Sequence, residues 1–273
     1  MSSVKQPNHF LSVIVPAYRE ELTIVRDIRS IISVLNQIRI RYELIVVVDG
    51  FVDKTYQRAK KLEALIKNVR IVGYKDNRGK GYAVRFGMAK SSGDIIAAID
   101  AGMELNPNGI SMCLEHFEWY NADIIVGSKR HPASKVNYNW QRRIISFVYQ
   151  FIVLVLFGLK IRDTQVGLKF YRRKVLEKVL PRLLVKKYAF DIELLAVAHS
   201  LGFTRIYEAP IELKFKFKGI SVLNRHYFAK TVFDVLVDTF AVFYRLKILK
   251  YYSDANRRKW RFDPELNFRV NVG

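Results

Sequence analysis

Apolar and polar positions follow two alternating periods through the first hundred residues. Residues 11–15 and 43–48 are largely apolar, β-branched runs of strand length. Between them, residues 20–38 carry Leu22, Val25, Ile28, Ile31, Ile32 and Leu35 at helical spacing. The alternation continues as a helix at 54–66, a strand at 69–72, a helix at 81–89 and a strand at 95–99. Strands and helices in this order predict an α/β fold, a mainly parallel sheet covered by helices on both faces. Ligands of such sheets sit at the carboxyl ends of the strands. Pro16, Asp49 and Asp100 each fall just beyond a predicted strand end, so three separated segments bring contact residues to one crevice.

Further along, the pattern predicts a helix at 108–120, a strand at 123–127, a short helix at 175–180, a helix at 191–201 and a strand at 204–210. Residues 225–250 read as a long amphipathic helix, continuous or broken, with His226, Lys230, Asp234 and Asp238 forming a polar stripe. Residues 144–159 are the most hydrophobic run. At about 1.5 Å per residue they reach roughly 24 Å, short of the ~30 Å hydrocarbon core of a bilayer. Ser146 and Gln150 interrupt the run, so it is expected to lie on a membrane or dip into it, with Ile152 and Leu156 on the apolar side. The domain reading is a catalytic unit over 1–218 with an interfacial helix near 142–159, an amphipathic helical segment over 219–250, and a polar, loosely attached tail over 251–273.

Charge narrows the partners. The 273-residue chain has a formal net charge of +21, which calls for a polyanion: nucleic acid, an anionic bilayer surface or a phosphorylated substrate. No zinc-ligand spacing and no aromatic RNA-binding strand motif is visible, so nucleic acid is not an expected partner. The single cysteine, Cys113, excludes an internal disulfide and fits a reducing compartment. Residues 1–9 are polar, without the apolar stretch of a secretory leader.

Several short runs carry candidate chemistry. Asn77-Arg78-Gly79-Lys80-Gly81 opens a predicted helix, where free backbone amides and a lysine can meet an anion. Asp163-Thr164-Gln165-Val166-Gly167-Leu168-Lys169 follows the apolar run and precedes Tyr188-Ala189-Phe190-Asp191-Ile192-Glu193. Read with Val15-Pro16-Ala17-Tyr18-Arg19-Glu20-Glu21, these runs resemble family-2 glycosyltransferases that charge a polyprenyl phosphate with a sugar. The resemblance is greatest to the dolichyl-phosphate glucosyltransferase and mannosyltransferase branch, and it spans about residues 11–249.

The resemblance implies a GT-A type fold and an inverting hexose transfer from a nucleotide diphosphate sugar to a polyprenyl (dolichyl-type) phosphate. UDP-glucose is the first expectation for the donor and GDP-mannose the second, at the cytoplasmic face of a membrane. It also implies that Pro16, Ala17, Tyr18, Glu20, Asp49, Lys80 and Asp100 hold the nucleotide. Asp49 would read the base edge, and its replacement by Ala would leave the fold intact. Lys129, Arg142, Arg143 and Lys169 would meet the acceptor phosphate. Asp163 and Gln165 would serve the transfer itself, Asp163 as orienter or base, or merely as the cap of a turn. A strand-end turn leading into a helix also accounts for Pro16-Ala17-Tyr18, and a buried core helix accounts for 144–159. Asp191 and Glu193 resemble a recurring motif and read as structural.

Departures from the family concentrate at the metal motif. Relatives carry Asp-Ala-Asp, whereas this chain reads Asp100-Ala101-Gly102-Met103-Glu104. Asp100 and Glu104, together with a diphosphate, can hold one Mg²⁺ or Mn²⁺ through oxygen ligands. Three readings stand: a rebuilt metal site, a metal-free enzyme relying on basic residues, and an inactive nucleotide-sugar-binding scaffold. A Gly102→Asp change would tighten metal binding, unless glycine's backbone freedom is needed there. Val48-Asp49-Gly50 also keeps one aspartate where relatives have two, and Lys129 replaces an arginine.

Overall fold

The computed structural model describes residues 9–38, 40–102, 106–135, 140–187, 189–212, 225–255 and 260–272. Its strands are β1 (Phe10–Ala17), β2 (Arg41–Asp49), β3 (Val69–Tyr74), β4 (Ile95–Ala98), β5 (Ile124–Ser128), β6 (Lys169–Arg172) and β7 (Ile206–Pro210). They form one sheet in the order β3-β2-β1-β4-β6-β5-β7. Strand β1 pairs in parallel with β2 and β4, with Ile14 opposite Ile45 and Ala98. The chain thus crosses over on both sides of β1, which opens a switch-point crevice at the strand ends.

Helices α1 (Ile24–Ile38), α2 (Thr55–Glu63) and α4 (Gly109–Trp119) cover one face. Helices α3 (Lys80–Ala89), α5 (Trp140–Phe157), α6 (Arg173–Val179), α7 (Phe190–Ser200) and α8 (Arg225–Phe243) contribute to the other. Each strand feeds both sides in turn. Val13, Val15, Leu44 and Val46 enter the first core, and Ile14, Ile45 and Val47 enter the second. Burial on both faces is why these runs lack polar alternation. At about 1.5–3 kcal/mol per buried aliphatic side chain, the two cores dominate the cohesion of the fold.

Three details differ from the sequence reading, and the long helix over 225–250 is interrupted, as its broken form allowed. Helix α1 starts at Ile24 instead of residue 20, because the Glu20 carbonyl accepts the amides of Thr23 and Ile24 in a preceding turn. Strand β6 was not anticipated. It runs antiparallel to β4 and β5, and its charged Lys169 is buried beside Asp191. Helix α8 ends at Phe243 and passes into a wider π turn, Tyr244–Ile248.

The expected loose tail instead contains a hairpin, β8 (Trp260–Asp263) with β9 (Phe268–Asn271), whose Leu266 and Asn271 are buried. The tail is held at its base as well. Arg182 Nε donates to the Tyr252 carbonyl at 2.9 Å, and Asn271 Nδ2 donates to the Tyr251 carbonyl at 2.9 Å. Among the described residues no helix is long and apolar enough to cross a membrane.

Candidate active site

The crevice is built where β1, β2 and β4 end. Pro16 and Ala17 are buried at the end of β1, and Tyr18 is exposed just beyond them. Glu20 follows, its carboxylate accepting the Thr23 hydroxyl and its amide donating to Thr55 Oγ1 at 2.9 Å.

Asp49 closes β2 and is buried. Its carboxylate accepts the Arg78 amide at 2.7 Å, the Gly79 amide at 3.0 Å and Asn77 Nδ2 at 3.0 Å. The expectation that the loss of Asp49 leaves the fold intact is therefore corrected. Asp49 is the organiser of the 77–79 loop. Three charge-assisted hydrogen bonds to a buried carboxylate make its removal a local structural loss.

That loop delivers Lys80 at the start of α3, and Lys80 Nζ donates to Asp100 Oδ2 at 2.8 Å. Asp100 lies just past β4 with its side chain 39% exposed. The run 163–169 meets it from the other side. A Cβ on Gly167 would lie 2.0 Å from Asp100 Oδ2, so any side chain there would have to displace the Asp100 carboxylate. Lys80, Asp100, Lys169, Lys187 and Asp191 line the small cavity between them. Within it Lys169 Nζ donates to Asp191 Oδ1 at 2.7 Å. Burial works to lower the Lys169 pKa, and Asp191 opposes that effect. Lys169 was expected to face an acceptor phosphate; it is buried at the cavity wall and already ion-paired.

The other end of the run meets β5. Asp163 is buried, accepting the Lys129 amide at 3.3 Å and the Gln165 amide at 3.2 Å, so it caps its own turn and ties that turn to the end of β5. Gln165 Nε2 approaches the Tyr149 hydroxyl at 3.4 Å, and that hydroxyl lies 3.0 Å from Thr239 Oγ1 of α8. Burial pushes the Tyr149 pKa up to about 12, so its proton stays on. The stretch 163–169 therefore links the Lys80–Asp100 cavity to the inner face of α5.

Sequence reasoning missed Arg130. Its Nη1 donates to Gln150 Oε1 at 2.5 Å, to the Ser146 carbonyl at 3.3 Å and to the Arg162 carbonyl at 3.2 Å. Of the polar stripe visible in the sequence, Arg130 meets the Gln150 side chain and, at 146, the backbone carbonyl. Glu208 was missed too; its Oε1 accepts the Arg162 and Asp163 amides at 2.9 and 3.2 Å. Glu193 is structural. It is fully buried, accepts the Leu184 and Val185 amides and the Tyr252 hydroxyl, and burial raises its pKa.

The outer face of α5 exposes Phe147 (61%), Phe151 (61%) and Val155 (64%). Phe233, Phe240 and Ile248 are exposed on and after α8. Ile152 and Leu156, expected to face lipid, are only half-exposed, and Leu156 packs on the second core. Glu104, Tyr188, Lys214, Lys216 and Lys218 lie outside the described residues, as do the side chains of Arg142, Arg143 and His226.

Gly102 has φ +92°, the left-handed region, and its amide donates to buried Asp27 Oδ2 at 3.0 Å. An aspartate there meets backbone strain, so the condition attached to Gly102→Asp applies: this position uses glycine's backbone freedom. Among the described residues no cluster of three metal-ligating side chains is present.

Comparison with known proteins agrees with this architecture. The family model for glycosyl transferase family 2 matches residues 12–180. The chain is 35% identical over 211 residues to a dolichyl-phosphate beta-glucosyltransferase of Drosophila melanogaster and 31% identical over 211 residues to one of Dictyostelium discoideum. In both cases the match covers 71% of this chain and 64% of the relative, so just under two thirds of those proteins' length is represented. Among solved structures, glucosyl-3-phosphoglycerate synthase from Mycobacterium tuberculosis, in complex with Mn²⁺, UDP-glucose and phosphoglyceric acid, superposes with a TM-score of 0.62 at 18% identity. That superposition covers 86% of this chain and 80% of the synthase, and it shows a shared GT-A-like fold.

Proposed function

The chain belongs to glycosyl transferase family 2, and from that premise we propose that it transfers glucose from UDP-glucose to a dolichyl-type polyprenyl phosphate, inverting the anomeric carbon. GDP-mannose is the second donor in line. One observation carries the reading: the 163–169 run joins the Lys80–Asp100 cavity to a helix whose outer face is apolar and exposed. A charged donor and a lipid acceptor need that adjacency. The relatives named as dolichyl-phosphate beta-glucosyltransferases support the sugar and the acceptor.

In the transfer, an acceptor phosphate oxygen bonds to the anomeric carbon as the bond from that carbon to the donor diphosphate breaks, and UDP leaves with the electron pair. The acceptor is already anionic near neutral pH, so no strong base is required. Lys80 and the start of α3 stabilise the leaving diphosphate, and Lys129, Arg142 and Arg143 meet the acceptor phosphate. Positioning and electrostatics supply the rate. Asp163 and Gln165 serve by holding the turn between the two substrates rather than by moving a proton.

The synthase named above binds Mn²⁺ with its UDP-glucose, and the residues here fit one Mg²⁺ or Mn²⁺ sparsely. Asp100 is a hard oxygen donor at the cavity, and Glu20 Oε1 lies 3.4 Å from where a Cβ on residue 102 would stand. Glu104 completes the proposed set. A bound ion would offset part of the diphosphate charge, the work that Lys80 shares.

The exposed face of α5, the exposed apolar residues on and after α8, and the basic surplus support a peripheral seat at the cytoplasmic face of a membrane. Gly102 favours the rival reading of a scaffold that binds nucleotide sugars without turnover. Calorimetric titration with UDP-glucose, GDP-mannose and UDP tests the donor. Binding of UDP-glucose that weakens at least about tenfold in Asp100→Asn is expected. No nucleotide binding at all sinks the proposal.

A further inference from the structure

The C-terminal hairpin reaches the donor loop. Between β8 and β9, Glu265 accepts both guanidinium ends of Arg78, Nη2 at 3.1 Å, and also the Tyr82 hydroxyl. Lys90 Nζ donates to the Glu265 carbonyl at 3.4 Å. The Arg78 guanidinium lies 5.1 Å from the Tyr74 ring centroid and 4.9 Å from that of Tyr82. Its backbone amide is one of those that Asp49 accepts, and Lys80 follows two residues later. One residue thus bonds the end of β2 through its backbone and the hairpin through its side chain. Leu266, next to Glu265, is buried, and Arg85 lies over the Phe268 ring at 5.7 Å, so the hairpin has its own anchorage.

We propose that Glu265 is a positioning residue for the diphosphate end of the donor site, acting through Arg78 to hold the 77–80 loop in its binding shape. A bidentate carboxylate–guanidinium pair set against two aromatic rings fixes direction as well as distance. Fixing the loop beforehand removes an ordering cost that the nucleotide would otherwise meet on binding. The family match ends at residue 180 and does not reach the hairpin. The inference rests on the nucleotide-binding reading above, but part of its test does not.

The test uses Glu265→Gln, the milder Glu265→Asp, and the double variant Arg78→Gln/Glu265→Gln beside Arg78→Gln alone. Amide exchange is followed without nucleotide over the peptide containing residues 77–82, whose Arg78 and Gly79 amides bond to Asp49. Exchange there should quicken at least about threefold in Glu265→Gln, and less in Glu265→Asp, with the sheet core unchanged. Calorimetry with UDP should show a Kd about three- to tenfold higher, and in the Arg78→Gln background the same change should add less than about twofold. Unaltered exchange over 77–82 in a folded variant overturns the proposal, as do effects of Glu265 and Arg78 that multiply independently. If the intact chain binds no UDP while exchange responds, the nucleotide reading has failed and the positioning of the loop by Glu265 stands.

Discussion

Gly167→Ala is the sharpest probe of how the cavity is assembled. The added Cβ would lie 2.0 Å from Asp100 Oδ2 and 2.2 Å from its Cγ, whereas carbon contacts prefer about 3.5–4.0 Å. A displacement of more than about 1 Å is required. Gly167 is not among the positive-φ glycines, so the cost is steric and not torsional. Overpacking costs about 1–3 kcal/mol, and the half-exposed Asp100 can swing aside, which places the stability loss near the lower bound.

Swinging Asp100 breaks its 2.8 Å pairing with Lys80 and takes its carboxylate out of the cavity. With Asp100 serving the donor as proposed, the loss of one charge-assisted contact of about 1.5–3 kcal/mol corresponds to a UDP-glucose affinity lower by roughly ten- to a hundredfold. Urea unfolding monitored by circular dichroism measures the first effect, and calorimetry the second. Because both act through one carboxylate, Gly167→Ala should add little to Asp100→Ala in either assay. A folded Gly167→Ala protein with unchanged affinity, or effects that add fully in the double variant, would refute the reasoning.

Gly102→Asp should destabilise the protein by about 1–2 kcal/mol, because φ +92° is hostile to a side chain; a rise in stability in metal-free buffer counts against it. Replacing both Phe147 and Phe151 with Glu should abolish most binding to anionic vesicles with the melting temperature preserved, whereas Leu156→Glu, which puts a charge against the second core, should lower the melting temperature first; sedimentation with vesicles of graded charge and salt decides. Glu43 is pushed up by burial, but bonds from the Ser12 hydroxyl and the Ser92 amide and hydroxyl, with Arg70 nearby, hold its pKa below the ordinary 4.5. Its stabilisation is complete above that value and is lost as pH falls through the lower folded value, so urea titrations of Glu43→Gln should show a shallower acid limb below about pH 4.5 and lower stability at pH 7. An acid limb as steep as that of the parent chain removes Glu43 from the account.

Most of the sheet was legible because β1, β2 and β4 are buried on both faces, which leaves β-branched runs that no exposed segment can afford. Strand β6 escaped because it is four residues long and begins and ends in charge, and the partner that shelters Lys169 lies 22 residues later in Asp191. The hairpin at 260–272 alternates apolar and polar residues, a usable signal obscured by the polar stretch before it. At the site, residue types were readable and roles were not. Asp49 looked like a ligand-facing carboxylate because its loop partners stand 28 to 30 residues away. Arg130 gave no signal because Gln150 and Arg162, which its guanidinium meets, are distant in sequence. Local pattern reports burial and period; the destination of a polar side chain depends on the crossing of segments.

The central claim is sugar transfer at the junction of the Lys80–Asp100 cavity and α5. Its most direct measurement is transfer from radiolabelled UDP-glucose to dolichyl phosphate in detergent by the purified chain, with and without Mn²⁺ or Mg²⁺, set against GDP-mannose. The account predicts a lipid-extractable, acid-labile glucosyl product that depends on dolichyl phosphate and falls at least about tenfold in Gly167→Ala. Nucleotide binding with no labelled lipid from any donor, under every metal condition, would contradict it and leave a binding scaffold in place of a transferase.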